Sequence, residues 1–176
     1  MIEKIKNWDE MEETEVGSSG LPKGIYIVKV VAVKDIAERQ YLEVKFDIVK
    51  GEYEGFFKRV SGGDYAAWSN QGIYRASYKE SAARFFKRFI TAVQKSNKNY
   101  VWDWNEQSLI GKYFVVVMDE EEYEKDGEIR VSVKCQSIRS IEAYQKNEIQ
   151  LPGLKKLREQ PVKQTSATPI MGDLPF

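Results

Sequence analysis

The sequence contains no histidine and a single cysteine, Cys135. The first absence removes the side chain most used for proton transfer near neutrality and for zinc ligation, and a lone thiol cannot close an internal disulfide. Cys135 falls in a strand pattern, the setting of a buried, inert thiol more than of a nucleophile. No apolar run approaches the roughly 18 residues of a membrane span. The N-terminal MIEKIKNWDEMEE lacks the apolar centre of a signal peptide, so a cytoplasmic protein is expected. Carboxylates are plentiful, but no paired-acid motif with a nearby lysine marks a metal-dependent nuclease, and the acids of 119–128 do not follow the order of a calcium loop. Neither catalysis, nor a metal, nor a cofactor is expected.

What the chain does have is material for one domain with tails: 176 residues, 42% of them hydrophobic and 12% aromatic. Its formal charge of zero hides a segmented distribution. Residues 1–16 carry two bases and six acids, 17–100 carry 15 and eight, 101–135 carry four and nine, and 136–176 carry six and four. A basic central block between acidic segments is what one anion-attracting face produces, and equally what a soluble surface of mixed charge produces.

Residues 1–20, rich in Glu and ending Gly17-Ser18-Ser19-Gly20, read as an acidic N-terminal arm. Residues 21–158 read as the folded domain, and 159–176, with the Pro, Ser and Thr of PVKQTSATP, as a disordered linker and C-terminal tip. Within the domain, Ile25 to Val33 has the continuous apolar character of a strand buried on both faces. Tyr41 to Val49 alternates Leu42, Val44, Phe46 and Ile48 against Tyr41, Glu43, Lys45 and Asp47, a strand with one wet face. Phe56 to Val60 reads as a third strand after the turn at 50–55. Later, Tyr113 to Met118 is a second fully buried strand, 119–128 an acidic hairpin loop with an Asp126-Gly127 turn, and Ile129 to Gln136 the last alternating strand. A partly apolar extension follows over 136–149, and 151–158 adds a short turn of helix.

Between the third and fourth strands, Ser81 to Ser96 is a helix: Phe85, Phe86, Phe89, Ile90 and Val93 recur at the spacing that gathers one face for burial, with Arg84, Lys87, Arg88 and Lys95 around it. Ahead of it, Asp64 to Lys79 reads as a long loop that mixes Tyr65, Trp68, Tyr74 and Tyr78 with Arg75 and Lys79. Rings beside cations are what unstacked bases and phosphates bind; the competing reading is that these rings cover the core. Past the helix, Tyr100, Trp102 and Trp104 read first as core.

The terminal Asp173-Leu174-Pro175-Phe176 resembles the tip of bacterial-type single-stranded-DNA-binding proteins, with Met171 and Gly172 where that family carries further aspartates. The resemblance implies that the Phe176 ring and carboxylate, with Asp173, enter an apolar, basic-rimmed pocket on replication and repair enzymes. The stretches LPKGIY, YLEVKFDI, YRASYKESAARFFKRFITAVQKSN and VWDWNE with LIGK resemble a family of small phage and prophage proteins of Gram-positive bacteria. That likeness implies an oligonucleotide-binding (OB) fold and single-stranded-DNA binding in a bacterial host cell. The order of three strands, helix and two strands agrees, so the expected fold is mainly β, a five-stranded β-β-β-α-β-β OB-fold barrel with a long loop between third strand and helix.

Two functions follow. In the first, a non-catalytic protein binds single-stranded DNA with low sequence preference through Lys45, Lys58, Arg59, Tyr65, Trp68, Tyr74, Arg75 and Tyr78, and recruits partners through Asp173 to Phe176. The sequence itself is silent on oligomeric state; a homo-oligomer that lengthens the DNA track is what the resemblance to such barrels implies. In the second, the chain is an interaction module of a replication or recombination complex and holds no DNA itself.

Overall fold

In the computed structural model, which describes residues 1, 3, 4, 8–10 and 20–157, the central strand is Gly24–Ile36 (β1). It pairs antiparallel with Tyr41–Ile48 (β2) along its second half and with Tyr113–Lys125 (β4) along its first. A bulge between Val30 and Ala32 lets this long strand bend from one partner to the other. Ile73–Ser77 (β3) adds to β2, and Glu128–Arg139 (β5) adds to β4. The protein is therefore mainly β, one five-stranded antiparallel sheet in the order β3-β2-β1-β4-β5. Where a barrel is expected, the sheet is open: among the described residues no ladder joins β3 to β5.

The alternation of β2 does what its sequence dictates, burying Leu42, Val44, Phe46 and Ile48. Against this face lies Ala83–Ser96 (α2), which buries Phe86, Phe89, Ile90, Ala92 and Val93. Phe85, expected with them, sits on the first turn of α2 and is 53% exposed, with the Arg84 guanidinium 5.6 Å over its ring. Asn97 ties the end of α2 to β4, donating to the carbonyls of Val93 and Tyr113 and accepting from the Tyr113 N–H. Both faces of β1 and β4 are covered. Phe114, Val116 and Met118 join the main core, while Val115 and Val117 form a second cluster with Ile25, Ile27 and residues of and after Ile141–Gln145 (α3).

Four expected elements change. Phe56 to Val60 is helix, not strand: Phe56–Ser61 (α1) is bounded by Gly55 and Gly62, both left-handed. Its free N–H groups are claimed by Asp47, which is buried and accepts from Phe57 and Lys58. The third strand lies instead within the expected loop, as β3, and only residues 78–82 separate it from α2. The acidic run 119–125 is strand, not loop, leaving Asp126-Gly127 alone as a two-residue turn with both φ values positive. Residues 151–157 make no helix; Lys155 instead pairs in parallel with Glu121. Most of the N-terminal arm and all of 159–176, including Asp173, Leu174, Pro175 and Phe176, lie outside the described residues. No helix among the described residues is long and apolar enough to cross a membrane.

Candidate nucleic-acid interface

The outward face of the β1-β2-β3 half is built from the residues that alternate with the core. Cross-strand pairing aligns Lys34, Glu43 and Arg75 in one row and Ala32, Lys45 and Ile73 in the next. Three cations thus share a patch with one carboxylate, which Lys45 pairs at 3.2 Å. Arg75 is exposed and donates to Asn70 Oδ1 at 3.3 Å, which aims the guanidinium along the strand toward the turn at Asn70–Gly72.

Beyond that turn, Lys58 and Arg59 project from α1 into solvent, Arg59 also donating to the Glu54 carbonyl. Tyr65, 48% exposed, sits on the turn at Tyr65–Ala67, with its ring centroid 5.4 Å from that of Trp68. Trp68 itself is 7% exposed; its Nε1 donates to the Phe46 carbonyl at 3.2 Å and its ring lies beside Phe57. Trp68 is therefore the buried support of the Tyr65 ring rather than a free stacking surface. The contact between Phe57 and Trp68 brings α1 and the Tyr65 turn together, so Lys58, Arg59 and Tyr65 lie on adjoining elements.

Two further rings are not part of this group. Tyr74 faces inward, 5.1 Å from Phe89, and burial pushes its hydroxyl up to about 12. Tyr78 lies past the other end of β3, where its hydroxyl donates to Asp35 at 2.8 Å; that bond raises its pKa. Of the eight residues singled out from sequence, Lys58, Arg59, Tyr65 and Arg75 are exposed, Lys45 is half-buried and ion-paired, Trp68 and Tyr74 are packed, and Tyr78 stands apart.

The open seam between β3 and β5 forms a cleft of about 1150 Å³, lined by Tyr53, Phe56, Ile73, Tyr74, Val131 and Val133 among others. Gln71 bridges one end, exchanging two hydrogen bonds with the Leu21 backbone and donating to the Val133 carbonyl at 2.9 Å. The thiol of Cys135, also on this cleft, is pushed up to about 12 by burial and is no nucleophile at neutral pH. The β4–β5 hairpin that walls the seam repels phosphate: Glu120, Glu122 and Glu124 share one face with Val133, Val131 and Ile129. Among the described residues no three His, Cys, Asp or Glu side chains gather as a metal site.

A second group of rings was not legible in the sequence as surface. Trp104 is 80% exposed and holds a positive φ of 65°, while Trp102 lies beneath it at 6.0 Å and rests on Phe86 at 6.1 Å. Nothing in the alternation of VWDWN separates a core tryptophan from one turned outward by its backbone.

No protein-family model matches the chain, and no curated protein matches it.

Proposed function

We propose that this chain is a non-catalytic single-stranded-DNA-binding protein of the OB type, acting with low sequence preference in phage DNA replication or recombination and recruiting partners through Asp173 to Phe176. The observation that carries the reading is the placement of Lys58, Arg59, Tyr65 and Arg75 on adjoining exposed elements, with the Tyr65 ring backed by buried Trp68. Phosphates take the cations and an unstacked base takes the ring, at about 1 to 3 kcal/mol per stacked base. The strand order and the helix between β3 and β4 fit a five-stranded barrel that is only partly closed. Oligothymidylate titrated into the full chain at low salt is expected to bind, with affinity falling as salt rises and falling further in Tyr65→Ala and Arg75→Ala. Absence of binding to any single strand at low salt overturns the reading.

One observation favours the second reading, an interaction module. β5 is an edge strand with Ile129 and Val131 exposed beside acidic β4, a surface suited to protein and unsuited to DNA. Deleting 173–176 separates the two: a DNA-binding protein keeps its DNA affinity and loses its partner, whereas a module captures its partner through the intact chain and ignores DNA.

A further inference from the structure

The loop after α2 spends several hydrogen bonds on holding one tryptophan in solvent. Asp103 Oδ1 accepts from the Asn105 N–H at 3.1 Å and from Ser108 Oγ at 3.2 Å; Asn105 Oδ1 accepts from Gln107 N at 3.1 Å; Gln94 Oε1 accepts from Trp102 N at 2.9 Å. Between these fixed points Trp104 takes a left-handed conformation that a bulky side chain rarely adopts. A hydrophobic ring gains nothing by standing 80% exposed, and strained backbone persists where its surroundings over-determine it. Directly beneath, Trp102 presents a second anomaly. Its Nε1 is buried and has no hydrogen-bond partner among the described residues.

An exposed flat ring held by its loop and backed by a packed tryptophan fits a flat aromatic ligand. A nucleobase has that chemistry: its π-face stacks on Trp104. Two cations lie over rings of the adjoining segments. Arg84 lies 5.6 Å over the ring of Phe85 on the first turn of α2, and Lys112 lies 4.9 Å over Tyr100. Carboxylates share this end of the sheet: Asp103 accepts two hydrogen bonds within the loop, Asp35 accepts from Tyr78, and Glu38 and Glu106 also act on the Tyr78 hydroxyl.

We infer that Trp104, backed by Trp102, forms a second base-binding site, at the end of β3 opposite Tyr65. The rings Tyr78, Phe86, Trp102 and Trp104 run in contact from the last residues of β3 outward, with centroids 6.3, 6.1 and 6.0 Å apart. Tyr65 marks one end of a strand of five residues and Trp104 the other, with Arg75 between. The site rests on the reading of the chain as a single-stranded-DNA-binding protein, and extends its track past the elements that the aromatic loop provides.

The test compares the full chain with Trp104→Ala, Trp104→Phe and Trp102→Phe, titrated with a long and a short oligothymidylate. Trp104→Ala is expected to weaken the long strand roughly tenfold, with the short strand, which fits at the Tyr65 end alone, unchanged and Trp104→Phe recovering most of the loss. Trp102→Phe keeps an aromatic support under Trp104 and removes only a buried donor, so it is expected to leave long-strand affinity near that of the parent. A loss as large as that of Trp104→Ala overturns the placement of the base on the Trp104 ring. Long-strand binding unaltered by Trp104→Ala overturns the site while leaving the proposed function intact, and failure of the parent chain to bind either strand overturns both.

Discussion

Asp47 and Phe57 are ten residues apart in sequence, yet the Asp47 carboxylate accepts the Phe57 backbone N–H at 2.9 Å inside the core. The same carboxylate takes the N–H of Lys58 at 3.0 Å, so a strand residue caps a helix that has only glycine at its own N-cap. Asp47→Ala leaves those donors buried without a partner. The expected cost is about 2 kcal/mol, read as a lower urea midpoint, with loss of order in α1 and the Tyr65 turn. An unchanged midpoint removes Asp47 as the organiser of that segment.

Close approach at Gly72 is a second dependence. A Cβ there meets Trp68 Nε1 at 2.7 Å and Phe57 Cγ at 2.8 Å, both in packed rings. Gly72→Ala should therefore destabilise by about 1 to 3 kcal/mol and shift tryptophan emission as Trp68 is displaced. Thermal melts with emission spectra decide it.

Tyr65 and Trp68 should separate binding from stability. Trp68→Ala empties a buried site and removes the bond to Phe46, an expected loss of about 3 to 5 kcal/mol. Tyr65→Ala touches an exposed ring, so its melting temperature should stay near that of the parent while oligothymidylate affinity falls roughly tenfold.

Alkaline conditions should weaken the fold. The Cys135 thiol, ordinarily near 9, and the Tyr74 and Tyr26 hydroxyls, ordinarily near 10, are each pushed up to about 12, chiefly by burial. With folded values above unfolded ones, the folded chain retains protons that the unfolded chain releases. Their contribution is complete below about pH 9 and is lost as pH rises toward about 12. Urea midpoints at stepped pH should fall over that window, less steeply in Tyr74→Phe and Cys135→Ala; an equal slope in both variants counts against burial as the cause.

Much of this fold is written locally. β2 follows from strict alternation, α2 from the spacing of Phe86, Phe89, Ile90 and Val93, and the β4–β5 turn from Asp126-Gly127. What escaped depends on distant groups. The run at 56–60 is too short for periodicity to separate strand from helix, and the deciding group, Asp47, lies on another strand. β3 is five residues that hold their shape by pairing with β2. Glu120, Glu122 and Glu124 look like loop residues because strand propensity counts little once a partner strand of Val133, Val131 and Ile129 supplies the pairing. At the candidate interface the residue types were readable and their orientation was not: Tyr65 and Trp68 read alike in sequence, and only tertiary packing turns one out and the other in.

The ladder between β1 and β4 has a kinetic meaning. β2 and β3 follow β1, and β5 follows β4 through a two-residue turn, so each half of the sheet assembles from neighbours in the chain. Among the described residues only the β1–β4 ladder bridges the halves, pairing Gly24 with Met118 across 94 positions. The entropy of closing that span is lost before its contacts form, which places refolding in the millisecond-to-second range of non-local β proteins. If the crossing of the folding barrier is timed by β1 finding β4, Ile25→Ala, which thins that ladder opposite Val117 and leaves the β1–β2 ladder intact, should slow refolding in stopped-flow measurements.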